Sequence, residues 1–167
     1  MLVLGIDPGS AVTGYGVVAL DGSRLVHIAS GAIRTRGEDP LPRRLLTIHD
    51  ALAVVIARHR PAAVAVEELF VGCHARAALV LGQARGVALL AVAEAGLEVA
   101  GYAPRLVKQT VVGYGQAEKG QVAEMVRRLL GLALAPRPTD VTDALALAIC
   151  HLQHAGVARR LTRGVVQ

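Results

Sequence analysis

Four acidic residues occupy positions that suit an active site at the edge of a β-sheet. Asp7 ends the apolar segment LVLGID, and Glu67 or Glu68 ends the apolar segment AAVAVEE. Asp140 and Asp143 are three residues apart near the start of a predicted helix, so both lie on one face of it. Because sites in α/β sheets are built at strand ends, we expect the four carboxylates to converge if the two strands are neighbours.

Converging carboxylates predict a site for divalent cations. Like charges repel one another unless cations lie between them, and hard oxygen ligands suit Mg²⁺ or Mn²⁺. Two such ions, about 4 Å apart, can activate a water and stabilise the leaving oxygen of a phosphodiester. The chemistry indicated by these residues is therefore phosphodiester hydrolysis.

Each carboxylate also has an ordinary structural interpretation. Asp7 precedes Pro-Gly and could be a turn residue. Asp140 could cap the last helix, and Asp143 could complement its dipole. Glu67 and Glu68 point to opposite faces of a strand, so at most one of them is a primary ligand. The presence of all four in one chain favours the active-site interpretation.

The chain contains only two lysines, Lys108 and Lys119, beside sixteen arginines. Both lie in the segment LVKQTVVGYGQAEKGQV. A compact ammonium can meet one phosphate oxygen or a developing oxyanion, whereas a guanidinium demands a planar, bidentate arrangement. The pattern favours a chemical role for both lysines, and chance retention on the surface is the alternative.

The charge is unevenly distributed. Residues 1–98 carry nine basic and nine acidic side chains, whereas residues 99–167 carry nine basic and four acidic ones. The whole excess of +5 therefore lies in the second part of the chain. A basic field of this kind suits a polyanion such as nucleic acid, although a modest excess also serves solubility.

Hydrophobic periodicity predicts the order βββαβαβ followed by helices, in one α/β domain. We expect residues 1–157 to form this domain and the basic tail 158–167 to be flexible. No signal peptide or disulfide framework is evident, and Glu94 and Glu98 interrupt the longest apolar run. These features predict a soluble cytoplasmic protein.

The predicted strands cover residues 2–7, 13–20, 25–35, 62–68 and 97–103. The predicted helices cover residues 41–59, 75–95, about 104–112, a segment ending near Gly131, and a last segment reaching His154.

Five motifs, in order, resemble those of the RuvC-type Holliday junction resolvases. They are GIDPGSAVTGYGVV, VAVEELF, LGQARG, VKQTVVGYGQAEKGQV and TDVTDALALA, and the resemblance runs from about residue 2 to residue 155. It implies a ribonuclease H-like fold with a five-stranded mixed sheet. It also implies a homodimeric, Mg²⁺-dependent endonuclease of recombination and repair that nicks four-way DNA junctions symmetrically, leaves 5′-phosphate and 3′-hydroxyl ends, and works with the RuvA–RuvB branch-migration complex.

Residue by residue, the resemblance implies roles for the acidic and basic groups. It selects Glu67 over Glu68 and makes Asp7 the bridge between two Mg²⁺ ions, for which Mn²⁺ can substitute. It places Lys108 and Lys119 beside the active site, in catalysis and in contact with DNA. The implied catalytic and metal-binding carboxylates are Asp7, Glu67, Asp140 and Asp143.

The segment after Glu68 is expected to contact DNA. Phe70 is the only phenylalanine, and the resemblance implies stacking on a base at the opened junction centre, with a core position as the alternative. We also expect Arg76 to contact DNA. Cys73 and His74 depart from the polar or basic residues usual there, which leaves the contacts of this loop open.

Two pairs of residues on the predicted helices give weaker indications of function. Gly82 and Gly86 in GQARG permit close helix packing, and the resemblance implies that this helix forms a two-fold dimer, whose identical sites can cut symmetry-related strands. His151 and His154 have the spacing of metal ligands, but we expect them to complement the C-terminal dipole of the last helix.

Three other functions are alternatives to junction cleavage. An actin-like or sugar-kinase-type ATPase shares a GIDPGS-like phosphate loop but needs a second domain, which 167 residues do not supply. A non-catalytic junction-binding protein gains nothing from four converging negative charges. A related nuclease acting on structured RNA stays open, and a comparison of junction DNA with RNA would separate the two.

Overall fold

The structure is a computed structural model that describes residues 1–68 and 75–164, with side chains as far as residue 155. The predicted DNA contact Phe70 lies outside the described residues, as do Cys73 and His74.

Ten elements follow one another in the predicted order βββαβαβααα. Their bounds agree with the sequence prediction to within a few residues at most ends, because apolar runs and helical periods are local signals. The strands are β1 Leu2–Asp7, β2 Val12–Asp21, β3 Arg24–Arg34, β4 Ala63–Glu67 and β5 Val99–Tyr102; the helices are α1 Leu41–His59, α2 Ala75–Glu94, α3 Pro104–Val112, α4 Lys119–Leu129 and α5 Thr139–Gly164.

The five strands form one mixed sheet in the order β3-β2-β1-β4-β5. β1, β2 and β3 are antiparallel to one another, whereas β4 and β5 run parallel to β1. Ile6 of β1 pairs with Val66 of β4, so Asp7 and Glu67 follow at the same edge. The predicted α/β, ribonuclease H-like sheet is confirmed, and so is the adjacency of strands one and four.

Helices cover both faces of the sheet, which explains why its central strands are apolar throughout. Val3 of β1 packs into a core with α3, α4 and α5. Leu4 and Ile6 pack into a second core with α1 and α2. The central strand is therefore held from both sides, which fixes the position of Asp7 at its end.

Helix α5 lies directly on the sheet because glycines face it. A Cβ added to Gly5 would overlap the carbonyl oxygen of Ala144, and one added to Gly14 would overlap the carbonyl oxygen of Asp140. Residues 144–150 of α5 are all buried. Small residues on both surfaces thus bring the start of α5 close to the end of β1.

Helix α2 is apolar but only partly covered. Ala84, Ala88 and Ala91 are buried against the rest of the chain, whereas Leu79 and Leu90 are 70% and 51% exposed. The sequence predicts no apolar run long enough to span a membrane, but the length and composition of α2 would suffice for one. Core helices of soluble proteins meet the same criterion. The helix therefore presents an exposed apolar face on the described surface.

The histidine prediction is wrong in its location. Helix α5 continues to Gly164, so His151 and His154 lie within it and do not complement its C-terminal dipole. The hydroxyl of Tyr102 is 2.9 Å from Nδ1 of His151, and Oγ1 of Thr110 is 3.2 Å from Nε2 of His154. Both rings therefore join α5 to neighbouring elements. The flexibility of residues 158–167 stays a prediction, although the described helix includes most of them.

Candidate active site

A cavity of about 390 Å³ lies at the carboxyl ends of β1 and β4. Apolar side chains of α3, α4 and α5 form part of its wall, including Val107, Val122 and Leu147. The structure brings together in this cavity all six residues predicted to be catalytic: Asp7, Glu67, Lys108, Lys119, Asp140 and Asp143.

The strand ends position two of the carboxylates. Asp7 and Glu67 end neighbouring parallel strands, and Glu67 is also held through its backbone, because Nε of Arg85 donates to its carbonyl oxygen at 3.0 Å. The side chain of Glu68 is exposed and approaches Gly101 of β5 instead of lining the cavity. The structure therefore places Glu67, not Glu68, among the other carboxylates.

The first two turns of α5 supply the other carboxylates. The helix begins at Thr139, so Asp140 lies inside its first turn and is not its N-cap. The buried hydroxyl of Thr142 donates to the carbonyl of Pro136 at 2.9 Å, which anchors the preceding loop to the helix. With the start of α5 fixed in this way, Asp140 and Asp143 face the ends of the strands.

The environment of the cavity disfavours negative charge on its carboxylates. Burial raises the pKa of Asp7 to about 7, with further contributions from the charges of Glu67, Asp143 and Asp140. Burial also raises the pKa of Glu67 and of Asp143. Lys119 acts in the opposite direction and lowers the pKa of all three groups. Burial is therefore the main reason why these carboxylates resist ionisation, and the lysines only partly offset it.

The two lysines come from separate helices. Lys119 is the first residue of α4, and its Nζ lies 3.6 Å from Oδ2 of Asp143 with the side chain 71% exposed. A capping box of Glu118 and Gln121 fixes this helix start. Lys108 lies on α3, lines the same cavity and lowers the pKa of Glu67 and Asp143. Both ammonium groups are thus available at the cavity mouth.

The donor set of the cavity fits a hard divalent cation. Four carboxylates against two ammonium groups leave an excess of negative charge, and carboxylate oxygens are the ligands that Mg²⁺ prefers. Within the described residues, no group of three or more His, Cys, Asp and Glu side chains is close enough to hold a metal as it stands.

Arg76 lies outside this cavity. It is exposed at the start of α2 and lines a separate depression of about 470 Å³ with Ser10 and Val80. Leu81 borders both cavities, so the two are neighbours. A DNA contact for Arg76 stays a prediction, as does the one for Phe70.

Sequence reasoning missed Arg85, although this residue lies in the motif GQARG. Its contact joins α2 to the backbone of Glu67, at the end of β4. An arginine in an apolar helix gives no local sign that it binds a carbonyl of another element. Only the packing of α2 against the sheet shows the contact.

A mixed sheet with carboxylates at adjacent strand ends and two ammonium groups beside them defines a phosphodiester-cleaving enzyme of the ribonuclease H-like class. The family model described as crossover junction endodeoxyribonuclease RuvC matches residues 3–151. The chain therefore belongs to the RuvC family of crossover junction endodeoxyribonucleases.

Individual relatives agree with this membership. The crossover junction endodeoxyribonuclease RuvC of Heliobacterium modesticaldum is 54% identical over 162 residues, which cover 96% of this chain and 100% of the relative. Thermus thermophilus RuvC in complex with Holliday junction substrate matches with a TM-score of 0.90 and 42% identity, over 95% of this chain and 96% of that one. The yeast mitochondrial resolvase Ydc2, at 12% identity and a TM-score of 0.67, shares the fold.

Proposed function

We propose that this protein resolves four-way DNA junctions by paired, symmetric, Mg²⁺-dependent nicks. The observation that carries the proposal is the convergence of four carboxylates and two lysines in one cavity. The likeness to a resolvase bound to a Holliday junction supports the choice of substrate over structured RNA.

Asp7, Glu67, Asp140 and Asp143 would hold the metal. When bound, Mg²⁺ supplies a Lewis acid for the phosphate oxygens and an activated water as nucleophile. Asp7 must be ionised to act as a ligand, and its raised pKa makes metal affinity dependent on pH. Burial, together with the neighbouring carboxylates at Asp7, disfavours the ionised state until a cation binds. This supports a resident divalent cation such as Mg²⁺.

The two lysines act on the phosphate. The ammonium of Lys119 reaches from the start of α4 into the cavity, where it can meet one oxygen of the scissile phosphate. Lys108 approaches the same cavity from α3. Fixed positive charge where negative charge develops stabilises the transition state more than the ground state. The lysines also offset the repulsion between the carboxylates and the DNA backbone.

A homodimer would explain symmetric cutting. The face of α2 that carries Leu79 and Leu90 is apolar and exposed, and a Cβ on Gly86 would meet nothing within 4 Å. A second copy of the chain would cover this face about a two-fold axis, which places two identical sites on related strands. On the basis of the family resemblance, we also propose cytoplasmic localisation and partnership with the RuvA–RuvB complex.

The first experiment is cleavage of a labelled synthetic four-way junction in Mg²⁺. A linear duplex of equal sequence and the Asp7→Asn variant are the controls. Paired nicks in the junction, absent from the duplex, from the variant and from EDTA-treated protein, are the expected result. Tight binding without any cut would indicate a non-catalytic junction-binding protein, and a preference for structured RNA would indicate the related ribonuclease.

A further inference from the structure

A second cavity, of about 720 Å³, opens beside the active site. Lys119 lines both cavities, so the two are continuous at that side chain. We call the second one the cationic groove, defined by Arg34, Lys119, Gly120, Arg137 and Thr139.

The cationic groove carries three positive charges and no negative one among its described lining residues. Neither Arg34 nor Arg137 takes part in an ion pair between the described side chains. Arg127 and Arg128 on α4 differ, since both bind Glu124, at 2.8 and 2.6 Å. The groove arginines therefore offer their guanidinium groups to an external anion.

The backbone adds to this field. Helix α5 begins at Thr139, at the border of the groove. The start of α4 at Lys119 is already capped by the side chain of Glu118. The first N–H groups of a helix and the positive end of its dipole favour an anion. A Cβ on Gly120 would meet nothing within 4 Å, so the groove is open to a ligand at this point.

We propose that the cationic groove binds a backbone phosphate of the DNA strand being cut, next to the scissile phosphate. A strand whose scissile phosphate faces the carboxylates has Lys119 at its side and enters the groove immediately beyond it. Arg34 and Arg137 can each form bidentate, charge-assisted hydrogen bonds with phosphate oxygens. Such contacts position the strand without reading its sequence.

An anchor outside the carboxylate cluster helps to hold the DNA strand at the active site. Its carboxylates outnumber its ammonium groups and repel a phosphodiester until metal is bound. Binding energy gained at a neighbouring phosphate holds the strand in place against this repulsion. The inference rests on the proposed junction cleavage, because it assigns the groove to the strand that the site cuts.

The test replaces Arg34 and Arg137 with glutamine, singly and together, in the Asp7→Asn background so that the junction is not cut during binding. The matched control is Arg24→Gln, an exposed arginine at the opposite end of the same strand β3. The measurement is the slope of the logarithm of junction affinity against the logarithm of salt concentration. Each phosphate contact contributes about 0.9 to this slope.

We expect each single substitution to lower the slope by about one and the double substitution to lower it by about two, with no change for Arg24→Gln. Melting temperatures of the variants serve as the check on folding. An unchanged slope and affinity in the folded double variant would overturn the inference.

The DNA side of the contact can be tested by neutralising one phosphate at a time with a methylphosphonate. A substitution one or two nucleotides from the cut should weaken binding by the Asp7→Asn protein about tenfold, the size of one charged hydrogen bond. The same substitution should have little effect on the variant that also lacks both arginines. An equal loss in the two proteins would place the contact elsewhere and contradict the proposal.

Two failures remain distinguishable. If the protein with Asp7 intact makes paired nicks and the arginine substitutions leave the slope unchanged, the groove inference fails and the resolvase function stands. If that protein makes no nicks while the slope still falls, the proposed cleavage fails and the groove remains an anion-binding site.

Discussion

Gly14 of β2 packs against the backbone carbonyl of Asp140, and a Cβ at this glycine would overlap the carbonyl oxygen. In the sheet, Gly14 is also the register partner of Asp7 on β1. One glycine thus lies between two of the carboxylates that share the cavity. The absence of a side chain here is what lets the first turn of α5 approach the end of β1.

Substitution of Gly14 by alanine should therefore damage the site. The added methyl pushes the start of α5 away from the sheet, at a cost of about 1–3 kcal/mol in the free energy of unfolding. Because misplacement by about 1 Å can cost a hundredfold in rate, junction cleavage should fall about a hundredfold. Thermal melting and single-turnover cleavage measure the two effects.

The matched control is Gly37→Ala, since a Cβ at Gly37 meets nothing within 4 Å. It should leave both melting temperature and cleavage near those of the unsubstituted protein. Full cleavage by Gly14→Ala would show that the carboxylates tolerate a shift of α5.

The raised pKa of Asp7 predicts that the metal-free protein loses stability as pH rises. The folded state holds a proton on Asp7 up to a pKa of about 7, whereas the unfolded chain releases it near 3.8. The folded state therefore binds more protons between these values, so the free energy of unfolding falls as pH rises through this window and levels off above it. Each pKa unit corresponds to about 1.4 kcal/mol.

Asp7→Asn removes this penalty. In EDTA the variant should melt at a higher temperature than the unsubstituted protein at pH 8, and the difference should shrink towards pH 4. Asp21→Asn, at the exposed end of β2, is the matched control for the change from carboxylate to amide. A difference that stays constant from pH 4 to pH 8 would contradict the prediction.

The parts of this molecule that sequence predicts are those set by local pattern. The apolar runs of β1 and β4 and the period of α1 fix their elements, and the motif resemblance names the residues of the cavity. Contacts between segments that are distant in sequence are not predicted by local pattern. Nothing near Gly14 in sequence indicates that Asp140 lies against it, and Arg34 and Arg137 look like any other exposed arginines. The sequence also predicts too short an α5, because the apolar pattern ends before the helix does at Gly164.

Arg85 should be a positioning residue for Glu67. Its Nε donates to the Glu67 carbonyl at 3.0 Å, at the point where β4 ends. Arg85→Met keeps the apolar stem but removes the donor, and a hydrogen bond from a charged group contributes about 1.5–3 kcal/mol. We expect cleavage at saturating junction to fall at least tenfold while junction affinity changes little.

The Mg²⁺ concentration for half-maximal cleavage separates positioning from general destabilisation. It should rise in Arg85→Met, because Glu67 is held less firmly, and should not change in the control Arg58→Met at the exposed end of α1. A lower melting temperature with an unchanged Mg²⁺ requirement would assign Arg85 a purely structural role.

Lys119→Arg tests whether the site needs a compact ammonium. The Nζ of Lys119 lies 3.6 Å from Oδ2 of Asp143, at the point where the active site meets the cationic groove. Arginine keeps the positive charge, so long-range attraction to DNA is retained. Its planar guanidinium, however, favours bidentate pairing and would displace the single contact to one oxygen. Cleavage should therefore fall more than junction affinity, by about tenfold or more, as expected for loss of one transition-state contact. Cleavage at saturating junction and binding in EDTA, measured side by side, decide the point: equal losses in both would mean that Lys119 serves binding alone.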